Sequence, residues 1–237
     1  MSERRPPSII EVIGVVLAST MAAGLVAVVV GSAAPAAEGV APAISAAGLA
    51  GQTTFTIVVI GLVLLWVRIT RSPGEIWLQK PKGRVSRAIL IGIVAGIGLQ
   101  VAVIALIFTV GRLVPSFDTS QISGTIEKTI GDAPLLPKLA LALIAGIMAP
   151  VSEELLYRGM LFAAVSRRTG RVVGLILSSA LFGLAHLNLY SFILLFAVGI
   201  VLTLLVMRTE SLVSSIAAHI AFNSTAIAGL LAVTSYF

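Results

Sequence analysis

The chain has 237 residues, of which 58% are hydrophobic and 11% charged, where a soluble domain carries about 25% charged residues. With a mean hydropathy of +1.08 it is too apolar for a water-soluble surface and too poor in charge for a disordered chain. It contains no cysteine, which excludes disulfides, thiolate nucleophiles and Cys-based metal sites; its net charge of +6 suits cytoplasmic loops of a membrane protein better than a nucleic-acid surface.

A helix that crosses ~30 Å of hydrocarbon needs about 20 apolar residues. The pattern predicts an all-α polytopic membrane bundle of about seven transmembrane helices, at 9–31, 53–70, 86–113, 136–167, 171–188, 190–208 and 211–234. The alternating segments of an outer-membrane barrel are missing. The first apolar run is longer than the roughly 7–15 residues of a secretion-signal core, so it is expected to stay as a span. The connections at 32–52 and 114–135 are rich in small and polar residues and are expected to be plain loops.

Loop charge tests the count. Arg4, Arg5, Arg68, Arg71, Lys80, Lys82, Arg84, Arg87, Arg167, Arg168, Arg171 and Arg208 all fall on one side of such a bundle. Only Arg112, Lys128 and Lys138 fall on the other. The N-terminus is therefore expected in the cytoplasm and the C-terminus outside.

The span at 136–167 holds Glu153, Glu154 and Arg158 well inside the apolar stretch. Each such group costs at least ~2.5 kcal/mol at the centre of a span, and survives by facing a cavity or a protein interior. A structural ion pair between Glu154 and Arg158, four apart on one face, accounts for two of the three. It leaves out Glu153, about 100° away from Glu154 on an α-helix.

The chain has two histidines. His186 closes the run Phe182-Gly183-Leu184-Ala185-His186, and His219 opens His219-Ile220-Ala221-Phe222-Asn223. Each alone reads as an interfacial residue or a helix–helix hydrogen bond. Depths at 1.5 Å per residue bring them together: Glu153 and His186 at ~22 Å from the cytoplasmic border, Asn223 at ~18 Å and His219 at ~12 Å. A shared cavity is the simplest account. The short turn at Thr169-Gly170 makes the fourth and fifth spans neighbours.

A carboxylate and an imidazole flanking a water suit proton abstraction from that water. A second imidazole and an amide suit a developing oxyanion. These are the parts of amide hydrolysis by water. No G-x-S-x-G elbow signals a serine enzyme and no H-E-x-x-H signals a zincin. Two histidines and a glutamate (Glu153, His186, His219) could still hold Zn²⁺ as a His₂Glu set.

Three signatures resemble those of the CAAX protease and bacteriocin-processing (CPBP) family: E-E-x-x-x-R at Glu153–Arg158, F-x-x-x-H at Phe182–His186 and H-x-x-x-N at His219–Asn223. The resemblance covers about 134–228. It implies a helical membrane bundle around a polar cavity, with Glu153 and His186 activating water and His219 and Asn223 forming the oxyanion site. Glu154, Arg158 and Phe182 would support them. It implies an intramembrane endopeptidase for a membrane protein or peptide substrate, needing no cofactor, with Zn²⁺ as the alternative. By motif content the chain divides into residues 1–133, helices and loops without a family motif, and 134–237, the catalytic core.

The composition, rich in Ala, Gly, Val and Arg, points to a bacterial multi-pass protein of the inner (plasma) membrane. Prenylated CaaX substrates are not expected there. The lipid bilayer and a membrane partner protein fit this class, whereas nucleic acid does not. Two rivals remain: a non-catalytic scaffold or bacteriocin-immunity protein that keeps the motif as an ion-paired core, and a small-solute transporter. The lack of an internal repeat weighs against the transporter.

Overall fold

The computed structural model describes residues 5–34, 42–70, 72–114 and 134–234. Arg4, Arg71 and Lys128, and residues 35–41 and 115–133 of the expected loops, lie outside them. The described residues form seven main helices: α1 Ile9–Ala33, α2 Ala46–Thr70, α3 Val85–Leu113, α4 Leu135–Thr169, α5 Arg171–Leu184, α6 Leu189–Thr209 and α7 Leu212–Thr234. Six are long and apolar enough to cross a membrane, so this is a multi-pass helical membrane bundle.

Two boundaries differ from the sequence expectation. α2 begins at Ala46 rather than at 53, because its first turns are built of small residues that let it run close beside α1. A methyl group on Gly51 would lie only 3.3 Å from the Ala27 Cβ. α5 ends at Leu184 rather than reaching 188. Its 14 residues cover ~21 Å, less than the hydrocarbon thickness. The chain then turns, with Leu187 in the left-handed region at φ 52°, and α6 opens on Asn188, whose side chain accepts the Ser191 N–H.

Local chemistry explains the other ends. Ser8 and Glu11 form a reciprocal capping box on α1. Glu11 also takes hydrogen bonds from Arg5 and, at 3.1 Å, from the Trp66 indole. One carboxylate thus fastens the start of α1 to the end of α2. Gly170, at φ 89°, makes the tight corner between α4 and α5 in a conformation that favours glycine.

α1 packs along α2, α3 along α7, and α5 between α4 and α6. The closeness of α3 and α7 requires glycine. A Cβ on Gly92 or Gly96 would overlap the carbonyl oxygens of Ser214 and Ala218. At the end of the bundle where α2 and α6 finish, residues 72–84 strap it. The Leu212 N–H donates to the Trp77 carbonyl (3.0 Å) and the Lys82 N–H to the Thr209 carbonyl (3.0 Å). The Lys82 ammonium pairs with Glu210 at 2.8 Å.

α4 runs through the middle. Its segment Glu154–Leu161 contacts α1, α2, α5, α6 and α7, and nearly every residue from Glu154 to Val165 is buried. α4 is not a uniform α-helix: Ile144–Met148 and Glu154–Leu161 are π-helical. The first wide turn sits just before Pro150, which has no N–H to give and whose ring crowds the preceding turn. In the wide turn the Ala149 N–H bonds the Ile144 carbonyl instead of Ala145, and Pro150 has no N–H for Gly146, so both carbonyls lack their usual donor. α7 supplies replacements: Asn223 Nδ2 donates to the Ala145 oxygen at 2.9 Å and Ser224 Oγ to the Gly146 oxygen at 3.4 Å.

Candidate active site

Glu153 ends an α-helical turn and Glu154 opens the second π segment, and both keep ordinary helical dihedrals. The sequence expectation set them about 100° apart. In the structure the two carboxylates reach opposite nitrogens of one ring, that of His219. Glu154 Oε1 lies 2.9 Å from His219 Nδ1, and Glu153 Oε2 lies 3.7 Å from His219 Nε2.

Glu154 is the structural member of the pair. Its Oε1 also accepts from Arg158 Nη1 at 2.8 Å, and both side chains are fully buried. The expected ion pair is therefore present, with His219 as a third member. Arg158 Nη2 reaches the Gly199 carbonyl of α6 at 3.3 Å. A buried ion pair stands only with good geometry and further hydrogen bonds, and this network ties α4, α6 and α7 together. Since a carboxylate only accepts, Glu154 orders His219 with the proton on Nδ1. Nε2 is then directed to Glu153, at a separation too long for a direct hydrogen bond.

Phe182 is the hub. The Arg158 guanidinium lies 4.4 Å over its ring, a cation–π contact. The rings of Tyr157, His186 and His219 meet it edge to face at 5.4, 5.1 and 5.6 Å. Its carbonyl, near the end of α5, takes a hydrogen bond from His186 Nδ1 at 2.9 Å. An orphan helix-end carbonyl thereby fixes the imidazole and leaves Nε2 for other work.

That work faces a cavity of about 210 Å³. Ser152, Glu153, Leu156 and Tyr157 of α4 line it, with Ala185 and His186 from the turn after α5 and Phe55 from α2. Of the four residues expected in one shared cavity, Glu153 and His186 line this hollow, and His219 and Asn223 do not. Glu153 is partly accessible, its side chain 24% exposed, whereas His219 is 3% exposed and stands behind it. Asn223 does not line the cavity; its amide is bonded to the Ala145 carbonyl. A larger, shallower hollow of about 300 Å³ between α4 and α7, by Leu143, Ile147 and Ser224, holds no titratable side chain.

Sequence reasoning missed Phe55, Ser152 and Tyr157 as cavity residues and missed both π turns. Tyr157 was within reach, four residues from Glu153 and inside the first motif. Pro150, with Asn223 and Ser224 on a later helix, was the trace of the first π turn. Phe55 left no trace, because a phenylalanine in an apolar span looks like lipid-facing or packing surface.

A zinc ion needs three protein ligands at about 2.0–2.2 Å. Among the described residues no three His, Cys, Asp or Glu side chains are grouped to hold a metal. The Nδ1 atoms of both histidines are engaged, as they are in many metal-bound histidines, which bind through Nε2. Glu153, His186 and His219 are not gathered closely enough in this arrangement to hold one zinc ion together.

Comparison with known proteins agrees with the motifs. Residues 135–225 match the family model described as "Type II CAAX prenyl endopeptidase Rce1-like". A stretch of 118 residues is 27% identical to the Bacillus subtilis (strain 168) protein named "Putative membrane peptidase YdiL", covering 50% of this chain and 44% of that protein. The chain thus spans less than half the length of this curated relative. No solved structure matches significantly. The family match spans all three motifs, so the C-terminal half of the chain is similar to the CAAX prenyl endopeptidase family and to this distant relative.

Proposed function

We propose that the protein is an intramembrane endopeptidase of the bacterial inner membrane, hydrolysing a peptide bond of a membrane-associated protein or peptide. The observation that carries this reading is the hollow shared by Glu153 and His186, the first unpaired by arginine and the second held by one nitrogen only. Glu153 takes a proton from a water in the hollow while His186 Nε2 orients it, and the oxygen attacks the peptide carbonyl. Glu153 then passes the proton to the leaving amine. His219, whose Nδ1 proton is held by Glu154, donates to the tetrahedral oxyanion from Nε2 as the imidazolium, the form in which both ring nitrogens carry protons. Asn223 joins that side through its second amide hydrogen, since an amide carries two donors and the first holds the Ala145 carbonyl. Glu154, Arg158 and Phe182 keep the imidazoles in place. The route needs no metal.

The test is peptide cleavage by the purified protein in lipid nanodiscs. Glu153→Gln and His186→Ala are expected to lower kcat by about 10²–10⁴-fold with an unchanged unfolding midpoint, and a zinc chelator to leave cleavage intact. Full activity of Glu153→Gln refutes the mechanism.

A second reading, a non-catalytic scaffold or immunity protein, is favoured by one observation: His219, Asn223, Glu154 and Arg158 all make bonds between helices. It requires that Glu153→Gln preserve the cellular phenotype.

A further inference from the structure

The cavity residues are unevenly distributed along the chain. All but one come from residues 152–186, inside the stretch that matches the family. The exception is Phe55 of α2. We propose that Phe55 selects the substrate side chain next to the bond to be cleaved, so that the half of the chain without a motif sets specificity. This rests on the proposed peptidase reading.

The position of Phe55 follows from the register of α2. Thr56, Val59, Val63, Trp66 and Thr70 are buried at spacings of three and four, which fixes the rotation of the helix. Phe55 falls at the edge of that buried stripe, and packs against the core that contains Leu155 and Leu156. One turn earlier, Gln52 Nε2 donates to the Ala43 carbonyl at 2.9 Å, which anchors the start of the helix. The aromatic ring therefore forms a fixed wall facing α4.

Size gives the wall its meaning. About 210 Å³ is below the roughly 300–1,000 Å³ of a pocket for a drug-sized ligand. At ~30 Å³ per water it has room for one side chain and a little water beside Glu153. Leu156, Ala185 and Phe55 make its apolar part. Leu156 and Ala185 lie within the two motif segments that also carry Glu153, Arg158 and His186, so their places are tied to the chemistry. Phe55 is free of that constraint. A hydrophobic wall discriminates among side chains by size, by about 10–200-fold per methylene-sized difference.

The experiment uses the full-length protein in nanodiscs and a library of apolar peptides that differ at one central residue, from Gly to Trp. Binding is read with Glu153→Gln as the background, and cleavage with Glu153 intact. Phe55→Ala is expected to raise the preference for Trp or Phe over Ala at the central position by at least about 10-fold in both readouts. Phe55→Trp is expected to shift it the other way. A uniform loss across all peptides, tracking a lower unfolding midpoint, makes Phe55 a packing residue and overturns the proposal. So does a preference unchanged in both variants, or no binding of any peptide. Shifted binding preferences with no cleavage by any form leave the Phe55 wall standing and refute the peptidase reading instead.

Discussion

α1 and α4 are both apolar helices of a membrane protein, yet they keep opposite company. Along α1, Leu17, Leu25 and Val28 are more than half exposed, and only Val12, Val15 and Ser19 are buried. Along α4, the stretch from Glu154 to Val165 is almost wholly enclosed by five other helices. The difference explains where charge survives. Glu11 of α1 sits in the first turn, where Arg5 and the Trp66 indole reach it. Glu154 and Arg158 sit mid-helix, with Gly199, His219 and the Phe182 ring around them. A charge deep in hydrocarbon needs partners from other helices, and α4 alone meets enough helices to provide them.

The sharpest way to break this comparison is to strip α4 of a partner. Arg158→Ala leaves Glu154 without its arginine at a fully buried site, with only His219 beside it, and is expected to destabilise the fold by about 3–5 kcal/mol. Loss of less than about 1 kcal/mol in a detergent-unfolding titration would show that the network is dispensable. A smaller effect is expected at the seam between α3 and α7, which carries His219. Gly96→Ala forces α3 away from the Ala218 carbonyl, next to His219, at about 1–3 kcal/mol. It should also lower peptide cleavage, because the imidazole shifts with α7. Stability lost with cleavage per folded molecule unchanged would separate the seam from the site. The smallest effect belongs to the lipid face. Leu25→Ala, at a residue 66% exposed, is expected to stay within about 0.5 kcal/mol. A larger shift in the same titration would mean that α1 is covered by protein there.

A fourth variant tests the Pro150 repair. Asn223→Ala removes the donor to the Ala145 carbonyl, and an unsatisfied buried carbonyl costs about 1–3 kcal/mol. If Asn223 serves only the helix, Pro150→Ala should restore stability and cleavage together, by returning a backbone N–H with which the turn can close as an α-helix. If it also serves the oxyanion, stability returns without cleavage.

Much was legible beforehand. Mean hydropathy and loop arginines gave the membrane bundle, and Glu154 with Arg158 gave an ion pair that the structure contains. Depth counted at a fixed rise per residue brought Glu153 and His186 to one level, and they line one cavity. The same arithmetic assumed α-helix throughout. It therefore missed the π turns and extended α5 past Leu184. Asn223 was legible as a polar residue sharing a face with His219, but not as the donor that replaces the backbone N–H lost at the wide turn before Pro150.

Residue type and order alone determined that the chain lies in a bilayer, which helices carry polar groups, and which groups those are, because hydrophobic transfer and charge burial depend on composition within a span. Which carboxylate meets which imidazole nitrogen, and that Phe55 closes the hollow from a distant helix, was decided by tertiary packing. Those choices turn on helix rotation, and one inserted π turn rotates everything beyond it without altering the hydropathy of a single residue.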